Sequence, residues 1–108
     1  MQEKIAVSAF GALAQGTRLR LLSLLAPAGR EGLAAGDIAT ALGVSASNVS
    51  FHLKELERAG LIAPRRDARQ IFYSTDQAAL GALVKFMFEN LQAERPRVRV
   101  RIRHEEAN

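Results

Sequence analysis

The chain has 108 residues, of which 48% are hydrophobic and 24% charged, and it contains no cysteine. This length suits one domain and the composition is ordinary, so wholesale disorder, a fibrous repeat and a second catalytic lobe are not expected. The lack of cysteine excludes disulfides, thiolate metal sites and sulfur nucleophiles, and no apolar run is long enough to span a membrane. We therefore expect a cytoplasmic protein with no membrane contact, whose small core gains burial in an oligomer.

The net charge of +4 favours a polyanionic partner, but the charge is unevenly distributed. Residues 1–94 hold ten Lys or Arg against nine Asp or Glu, whereas residues 95–108 hold five Arg against two Glu. We therefore predict a folded domain over 1–94 and a basic tail over 95–108. For the domain, a nucleic-acid partner must be argued from where the charges lie rather than from their total.

Three predicted helices occupy the first part of the chain. The first covers residues 5–14, where apolar residues recur at helical spacing. The second covers 17–26, and its five leucines surround most of the helix, which indicates a buried central element. The third covers 36–42 and ends at Gly43, a residue typical of a left-handed C-terminal cap.

A fourth helix is predicted to begin after Ser45, whose hydroxyl suits an N-cap, and to run to Ala59 before Gly60. At about 100° per residue, its apolar and polar residues fall on opposite faces. The inward face holds Val49, Leu53 and Leu56, and the outward face holds Ser47, Phe51, Lys54 and Arg58. The pattern therefore separates a core face from a surface face.

A basic hairpin and a long last helix complete the predicted elements. Two short strands, 61–64 and 70–74, are joined by a loop that carries three arginines. Ser74 and Gln77 then form a capping-box pattern before the last helix, which Pro96 closes. The last helix carries its apolar residues along one stripe and is also expected to expose Phe86. The helix therefore has more apolar surface than one side can bury.

This order of elements predicts a winged helix-turn-helix, a mainly α fold with about five helices and a two-stranded β-hairpin wing. The second helix of such a pair can enter a DNA major groove with its N-terminal residues facing the bases. Short polar side chains at 47, 48 and 50 allow that approach, and the wing arginines can reach the backbone or the adjacent minor groove.

The run from Val49 to Ile62, with Ser50-Phe51-His52-Leu53 near its start, resembles the recognition helix of the ArsR/SmtB family of bacterial winged-helix repressors. Residues 12–20, 36–39 and 60–73 are similar to the family's second-helix entry, third helix and wing. The resemblance implies a homodimer joined through its first and last helices. It also implies binding to a double-stranded DNA operator of imperfect twofold symmetry, usually to repress a small operon.

We expect the DNA contacts to come from the fourth helix and from the wing. The helix would supply Ser45, Ser47, Asn48, Ser50, Phe51, His52 and Lys54, and the wing would supply Arg65, Arg66 and Arg69. The dimer interface implied by the resemblance comprises Ile5, Phe10, Leu80, Leu83, Val84, Met87, Phe88 and Leu91. Phe51 replaces the Arg or His common in the family and could contact a thymine methyl group, while His52 either packs or contacts phosphate.

The metal sites of sensor proteins in this family do not carry over to the chain. Metalloid sensors of the family have a Cys-x-Cys pair at positions that here hold Ala34 and Gly36. Zinc sensors have an Asp-x-His motif followed by His and by Glu or His, at positions that here hold Asp76, Ala78, Glu89 and Gln92. Two carboxylates without an imidazole are a poor ligand set for zinc. We therefore expect no metal and no cofactor, and the sequence indicates no inducer.

Alternatives remain open for both the function and the tail. The fold also suits a protein-interaction module or a repressor released by an organic ligand or a partner protein. An enzyme is not expected, because the chain has no Gly-rich phosphate loop, no nucleophile with a base and no metal set. In the tail, arginines alternate with Val98, Val100 and Ile102, which fits disorder, an edge strand in the dimer or an arm that contacts phosphate.

Overall fold

The computed structural model describes residues 1–91 and contains five α-helices and three β-strands in that range. The helices are α1 (Glu3–Leu13), α2 (Gly16–Leu25), α3 (Ala35–Leu42), α4 (Ala46–Arg58) and α5 (Gln77–Asn90). The strands are β1 (Leu33–Ala34), β2 (Ile62–Asp67) and β3 (Gln70–Thr75), and a short 3-10 helix, Ala26–Ala28, continues α2. The predicted winged helix-turn-helix is confirmed, whereas the predicted tail over 95–108 lies outside the described residues.

The sheet has three antiparallel strands in the order β1-β3-β2, so one more strand joins the predicted hairpin. In β1, Leu33 pairs with Tyr73 and Ala34 pairs with Phe72. The preceding residue, Gly32, has a φ of +71°, and a Cβ atom there would overlap the carbonyl oxygen of Tyr73. Glycine therefore allows the chain to approach β3 closely enough to add this strand.

The wing is longer and its loop shorter than predicted. Arg65 pairs with Phe72 and Arg66 with Ile71, so both arginines lie within β2 rather than in the loop. The loop is reduced to two residues, the first of which, Ala68, has a φ of +55°. A two-residue hairpin turn accepts a positive φ at this position because its twist then matches that of the strands.

The core lies where α2, α3 and α4 meet the start of β2. Leu21 and Leu25 of α2 and Ile38 of α3 are fully buried. The predicted inward face of α4 is confirmed by the burial of Val49, Leu53 and Leu56. The prediction that α2 is buried around most of its circumference is wrong, because Leu19 is 54% exposed.

The turn between α3 and α4 presents the start of α4 to solvent. Gly43 ends α3 in the left-handed conformation with a φ of +67°, as predicted, and its N–H donates to the carbonyl oxygen of Ala39 at 2.9 Å. Ser45 caps α4, because its Oγ accepts a hydrogen bond from the backbone N–H of Asn48 at 3.2 Å. The turn between the two helices is therefore three residues long, 43–45, and it contains the caps of both helices.

The cap of α5 differs from the predicted capping box. Ser74 lies in β3, and the N-cap is Asp76, whose Oδ1 accepts from the backbone N–H of Ala79 at 3.0 Å. A carboxylate at this position also interacts favourably with the positive end of the helix dipole. The wing therefore continues to Thr75, one residue before the cap.

Helices α1 and α5 contact each other and leave large apolar side chains exposed. Six of the eight residues predicted for the dimer interface are at least 37% exposed, namely Ile5, Phe10, Val84, Met87, Phe88 and Leu91. We call these six residues the α1/α5 apolar set. Leu83 is buried in the core of the chain, which corrects its assignment to the interface, whereas Leu80 is half-buried against that core and its place in the interface stays a prediction. Phe86 also packs against the core, so the expectation that it is exposed is wrong.

Within residues 1–91, no helix combines the length and the apolar character needed to cross a membrane.

Candidate nucleic-acid interface

The first two turns of α4 form a polar surface. Ser47, Asn48 and Ser50 are exposed, and the Oγ of Ser47 lies 3.3 Å from the Oγ of the capping Ser45. This surface points outward because Val49, on the opposite side of the helix, is fully buried and fixes the rotation of α4. Short hydroxyl and amide groups beside the free backbone N–H groups of a helix N-terminus can accept and donate hydrogen bonds to phosphates and base edges.

Phe51 and Lys54 continue this surface along α4. Phe51 is 56% exposed, and Lys54, one turn further on, is also exposed. The Phe51 ring lies edge-on to the imidazole of His52, with 5.2 Å between the ring centroids. An exposed phenyl ring among polar groups can contact an apolar group of a partner, such as a thymine methyl group.

His52 lies inside the molecule, which corrects the expectation that it lies along the groove. It is 6% exposed, and its Nδ1 lies 3.2 Å from Nη1 of Arg18 on α2. Burial lowers the pKa of His52 below its usual 6.5, the Arg18 guanidinium lowers it further, and Glu55 has the opposite effect. The sequence holds a signal for this burial, because position 52 lies three residues after Val49 and four before Leu56, on the inward face.

The three wing arginines have different surroundings. Arg65 donates from Nη2 to the carbonyl oxygen of Glu31 at 2.8 Å, and its guanidinium carbon lies 5.0 Å from the centroid of the Phe72 ring. Its Nη1 also lies 3.7 Å from Oδ2 of Asp67. The guanidinium of Arg65 is therefore engaged in contacts within the chain, and it connects the wing to the loop before β1.

The side chains of Arg66 and Arg69 are exposed and make no hydrogen bond or ion pair with other residues in the described range. Both therefore remain available to a polyanion, since neither guanidinium has to leave a partner among residues 1–91. Of the predicted wing contacts, these two have the freedom to reach phosphate, whereas Arg65 has structural contacts of its own.

Sequence reasoning did not find Arg18, although this side chain joins α2 to two other helices, α1 and α4. It lies in the first turn of α2, and its Nε donates to the carbonyl oxygen of Ala12 at 2.6 Å. The sequence gives no signal that separates Arg18 from the exposed Arg20 two residues later, and the role follows from burial, because a half-buried guanidinium needs hydrogen-bond acceptors.

The part of the chain that the structure describes holds no group of three or more His, Cys, Asp or Glu residues able to bind a metal. Oδ1 of Asp76, one of the carboxylates at the family's zinc-ligand positions, caps α5.

Comparison with known proteins gives consistent matches. A family model described as a helix-turn-helix domain matches residues 13–65. Nodulation protein NolR from Rhizobium meliloti is 36% identical over 102 residues, which cover 89% of this chain and 81% of NolR. The structure of an ArsR-like transcriptional regulator from Rhodococcus sp. RHA1 has a TM-score of 0.72 and 29% identity, covering 80% of this chain and 78% of that chain.

A homodimeric winged helix-turn-helix DNA-binding domain from Mycobacterium bovis, described as a possible ArsR-family regulator, has the same fold. Its TM-score is 0.66 at 24% identity, and the match covers 91% of this chain and 89% of that chain.

Proposed function

Since the chain belongs to the ArsR/SmtB family of winged helix-turn-helix transcriptional regulators, we propose that it acts as a homodimeric repressor of a small operon. Members of this family are DNA-binding regulators of transcription and not enzymes. The observation that carries the proposal is the polar, exposed first half of α4 opposite a fully buried apolar face. This arrangement supports insertion of α4 into a major groove, because its exposed side chains are short enough to let the helix approach the bases.

In the proposed complex, Ser47, Asn48 and Ser50 contact base edges or phosphates, and Lys54 lies further along the groove. Phe51 contacts a thymine methyl group, which favours thymine at one operator position. Free backbone N–H groups after the Ser45 cap add a favourable interaction with phosphate. These roles are supported by the exposure of the side chains on one face of α4.

The wing contributes through Arg66 and Arg69, which contact the DNA backbone or the adjacent minor groove. Their exposure and their lack of partners within the described range support this role. Arg65 keeps the wing in place through its contacts with Glu31 and Phe72.

The dimer forms through the α1/α5 apolar set. Phe88 and Val84 are 68% and 63% exposed, and side chains of this size rarely remain exposed together on a monomer. The homodimeric relative from Mycobacterium bovis, which has the same fold, is consistent with this proposal. Two copies of α4 would then reach successive major grooves about 34 Å apart.

Regulation does not use the zinc or thiol sites of other family members. The positions of those sites hold no imidazole and no thiol, and Asp76 already accepts a hydrogen bond as the cap of α5. We therefore propose that the regulator responds to an organic ligand or a partner protein, or acts without an inducer.

The second candidate is a protein-interaction module, which the exposed ring of Phe51 favours. The two functions differ in which residues of α4 they require. A protein partner would need the apolar Phe51, whereas DNA would need the neighbouring polar side chains.

The test is footprinting of the full chain on the DNA upstream of its own operon, followed by affinity measurements on the protected fragment. We expect Asn48→Ala and Ser50→Ala to weaken binding by about 1–3 kcal/mol each if they contact bases. Ser23→Ala is the matched control, because Ser23 is also an exposed helical serine, on α2. No protected site, or equal binding by Ser50→Ala and Ser23→Ala, would contradict the proposal.

A further inference from the structure

Arg18 connects three helices through one side chain and its own backbone. Its Nε donates to the carbonyl oxygen of Ala12 at 2.6 Å, and its Nη1 lies 3.2 Å from Nδ1 of His52. Its backbone N–H donates to Oε1 of Gln15 at 2.8 Å in the first turn of α2. The carbonyl of Ala12 belongs to the last turn of α1, where carbonyl groups have no partner within the helix. The end of α1, the start of α2 and the middle of α4 therefore meet at this guanidinium.

The contact between Arg18 and His52 fixes the protonation state of the imidazole. An arginine guanidinium carries only donors, so Nδ1 of His52 must accept the hydrogen bond. The ring is then neutral, with its proton on Nε2. Protonation of Nδ1 would place two donors and two positive charges 3.2 Å apart in a site where His52 is 6% exposed, so the contact would break.

We propose that Arg18 and His52 act as a positioning pair, in which neutral His52 holds α4 in the orientation that binds the operator and protonated His52 releases it. This inference rests on the proposed function, because operator affinity is its main readout. It adds a role for two residues that touch no DNA. It also links the recognition helix to α1, which carries Ile5 and Phe10 of the α1/α5 apolar set.

The charges around His52 favour the neutral form. From α2 the ring faces the Arg18 guanidinium, and from α4 it faces Glu55, which lies 2.9 Å from Nη1 of Arg58 in an ion pair. From α1, the carbonyl oxygen of Ala12, which carries no charge, accepts a hydrogen bond from Arg18. Burial and Arg18 together outweigh Glu55, so the pKa of His52 is lowered from its usual 6.5.

The direction of the pH dependence follows from this shift. A histidine whose pKa is lower in the folded state binds fewer protons there than in the unfolded state. Its contribution to stability is therefore complete above the unfolded value of 6.5 and is lost as the pH falls from 6.5 through the lower folded pKa. Both the stability and the operator affinity should decline together over this acidic range.

The experiment compares the full chain with His52→Gln and His104→Gln, because the sequence has two histidines. Operator affinity and the thermal unfolding midpoint are measured at about pH 7.5 and about pH 5.5, a range in which histidine is the side chain that ordinarily titrates. We expect the wild type and His104→Gln to lose affinity on acidification, by at most about tenfold, because the lowered pKa of His52 leaves part of the protein neutral at about pH 5.5. Glutamine at 52 keeps an acceptor without titrating, so His52→Gln should lose far less.

A second comparison tests Arg18 directly. Arg18→Gln removes the guanidinium that joins Ala12 to His52, so we expect about tenfold weaker operator binding at about pH 7.5 with an unchanged salt dependence. Arg20→Gln is the control, because Arg20 is exposed and, within residues 1–91, its side chain hydrogen-bonds only Oγ1 of Thr17, at 3.5 Å. A reduced salt dependence would instead make Arg18 a phosphate contact and overturn the proposal.

The inference and the proposed function can fail separately. If the wild type binds no operator, the proposed function fails, and the unfolding midpoints still test the pair in the absence of DNA. If the wild type binds but His52→Gln shows the same pH dependence as His104→Gln, the positioning pair is excluded and the proposed function stands. If midpoints shift with pH while operator affinity does not, His52 has only a structural role.

Discussion

Helix α4, the proposed recognition helix, and the last helix α5 have similar lengths, but they distribute their apolar side chains differently. In α4 every large apolar residue except Phe51 is buried within the chain. In α5, Leu83 is buried, whereas Val84, Met87 and Phe88 are at least 41% exposed. The core of the chain therefore accounts for the apolar side chains of α4 other than Phe51, whereas the exposed apolar side chains of α5 need a second apolar surface to cover them.

The outward faces of the two helices therefore suit different kinds of partner. The outward face of α4 is polar, which keeps it soluble in the free protein and lets it contact a polar, charged partner. The outward face of α5 is apolar, and its exposure to water is unfavourable unless another protein surface covers it. A regulator that binds DNA as a dimer needs one helix of each kind.

The largest expected effect comes from truncation within the inward face of α4. Leu56 is completely buried, so Leu56→Ala should lower the free energy of unfolding by about 2–5 kcal/mol. Phe51→Ala, on the opposite face, should change it by about 0.5 kcal/mol or less, because little buried area is lost. Urea denaturation of both variants measures the difference. Similar losses for the two variants would show that α4 is not divided into a buried and an exposed face.

Truncation of the exposed face of α5 should weaken self-association rather than folding. We expect Phe88→Ala to weaken dimerisation by about 2 kcal/mol, the loss typical of a central interface residue. Leu83→Ala, which removes a buried side chain of the same helix, should instead destabilise each chain. Sedimentation equilibrium and denaturation, measured on both variants and on an exposed control, Lys85→Ala, distinguish the two effects. Unchanged self-association of Phe88→Ala would remove the case for α5 as the interface.

The same comparison explains how much of the structure could be predicted from the sequence. The pattern of α4 predicts the burial of Val49, Leu53 and Leu56 correctly because these apolar residues share one face of the helix, although Phe51 and His52 depart from it. In α5 the apolar stripe is wide enough to face both the core and a partner. Periodicity cannot divide such a stripe, so it predicts Leu83 at the interface and Phe86 at the surface, whereas the structure buries Leu83 and half-buries Phe86 against the core.

Other differences arise where residue type and position give conflicting signals. His52 is polar and belongs to a helix expected to contact DNA, yet its spacing from Val49 places it inside, and its partner Arg18 lies 34 positions away in the sequence. Local patterns contain no information about such a distant contact. Strand β1 is two residues long and exists because Gly32 allows a close approach to β3, which no alternation of residue types can predict.

The smallest expected effect concerns the two N-caps. Ser45→Ala and Asp76→Ala should each lower the free energy of unfolding by about 1 kcal/mol, because each leaves a backbone N–H group without its side-chain acceptor. Ser45→Asp and Asp76→Ser, which retain a capping oxygen, should restore most of that stability.

The effects of these caps on operator affinity should differ. Ser45→Asp adds a negative charge beside the proposed DNA surface and should weaken binding while the fold stays intact, whereas Asp76→Ser lies at the cap of α5 and should leave binding unchanged. Calorimetry and operator titration of all four variants test this separation. Equal operator affinity for Ser45→Asp and Asp76→Ser would mean that the start of α4 does not face the DNA, whatever the exposure of its side chains.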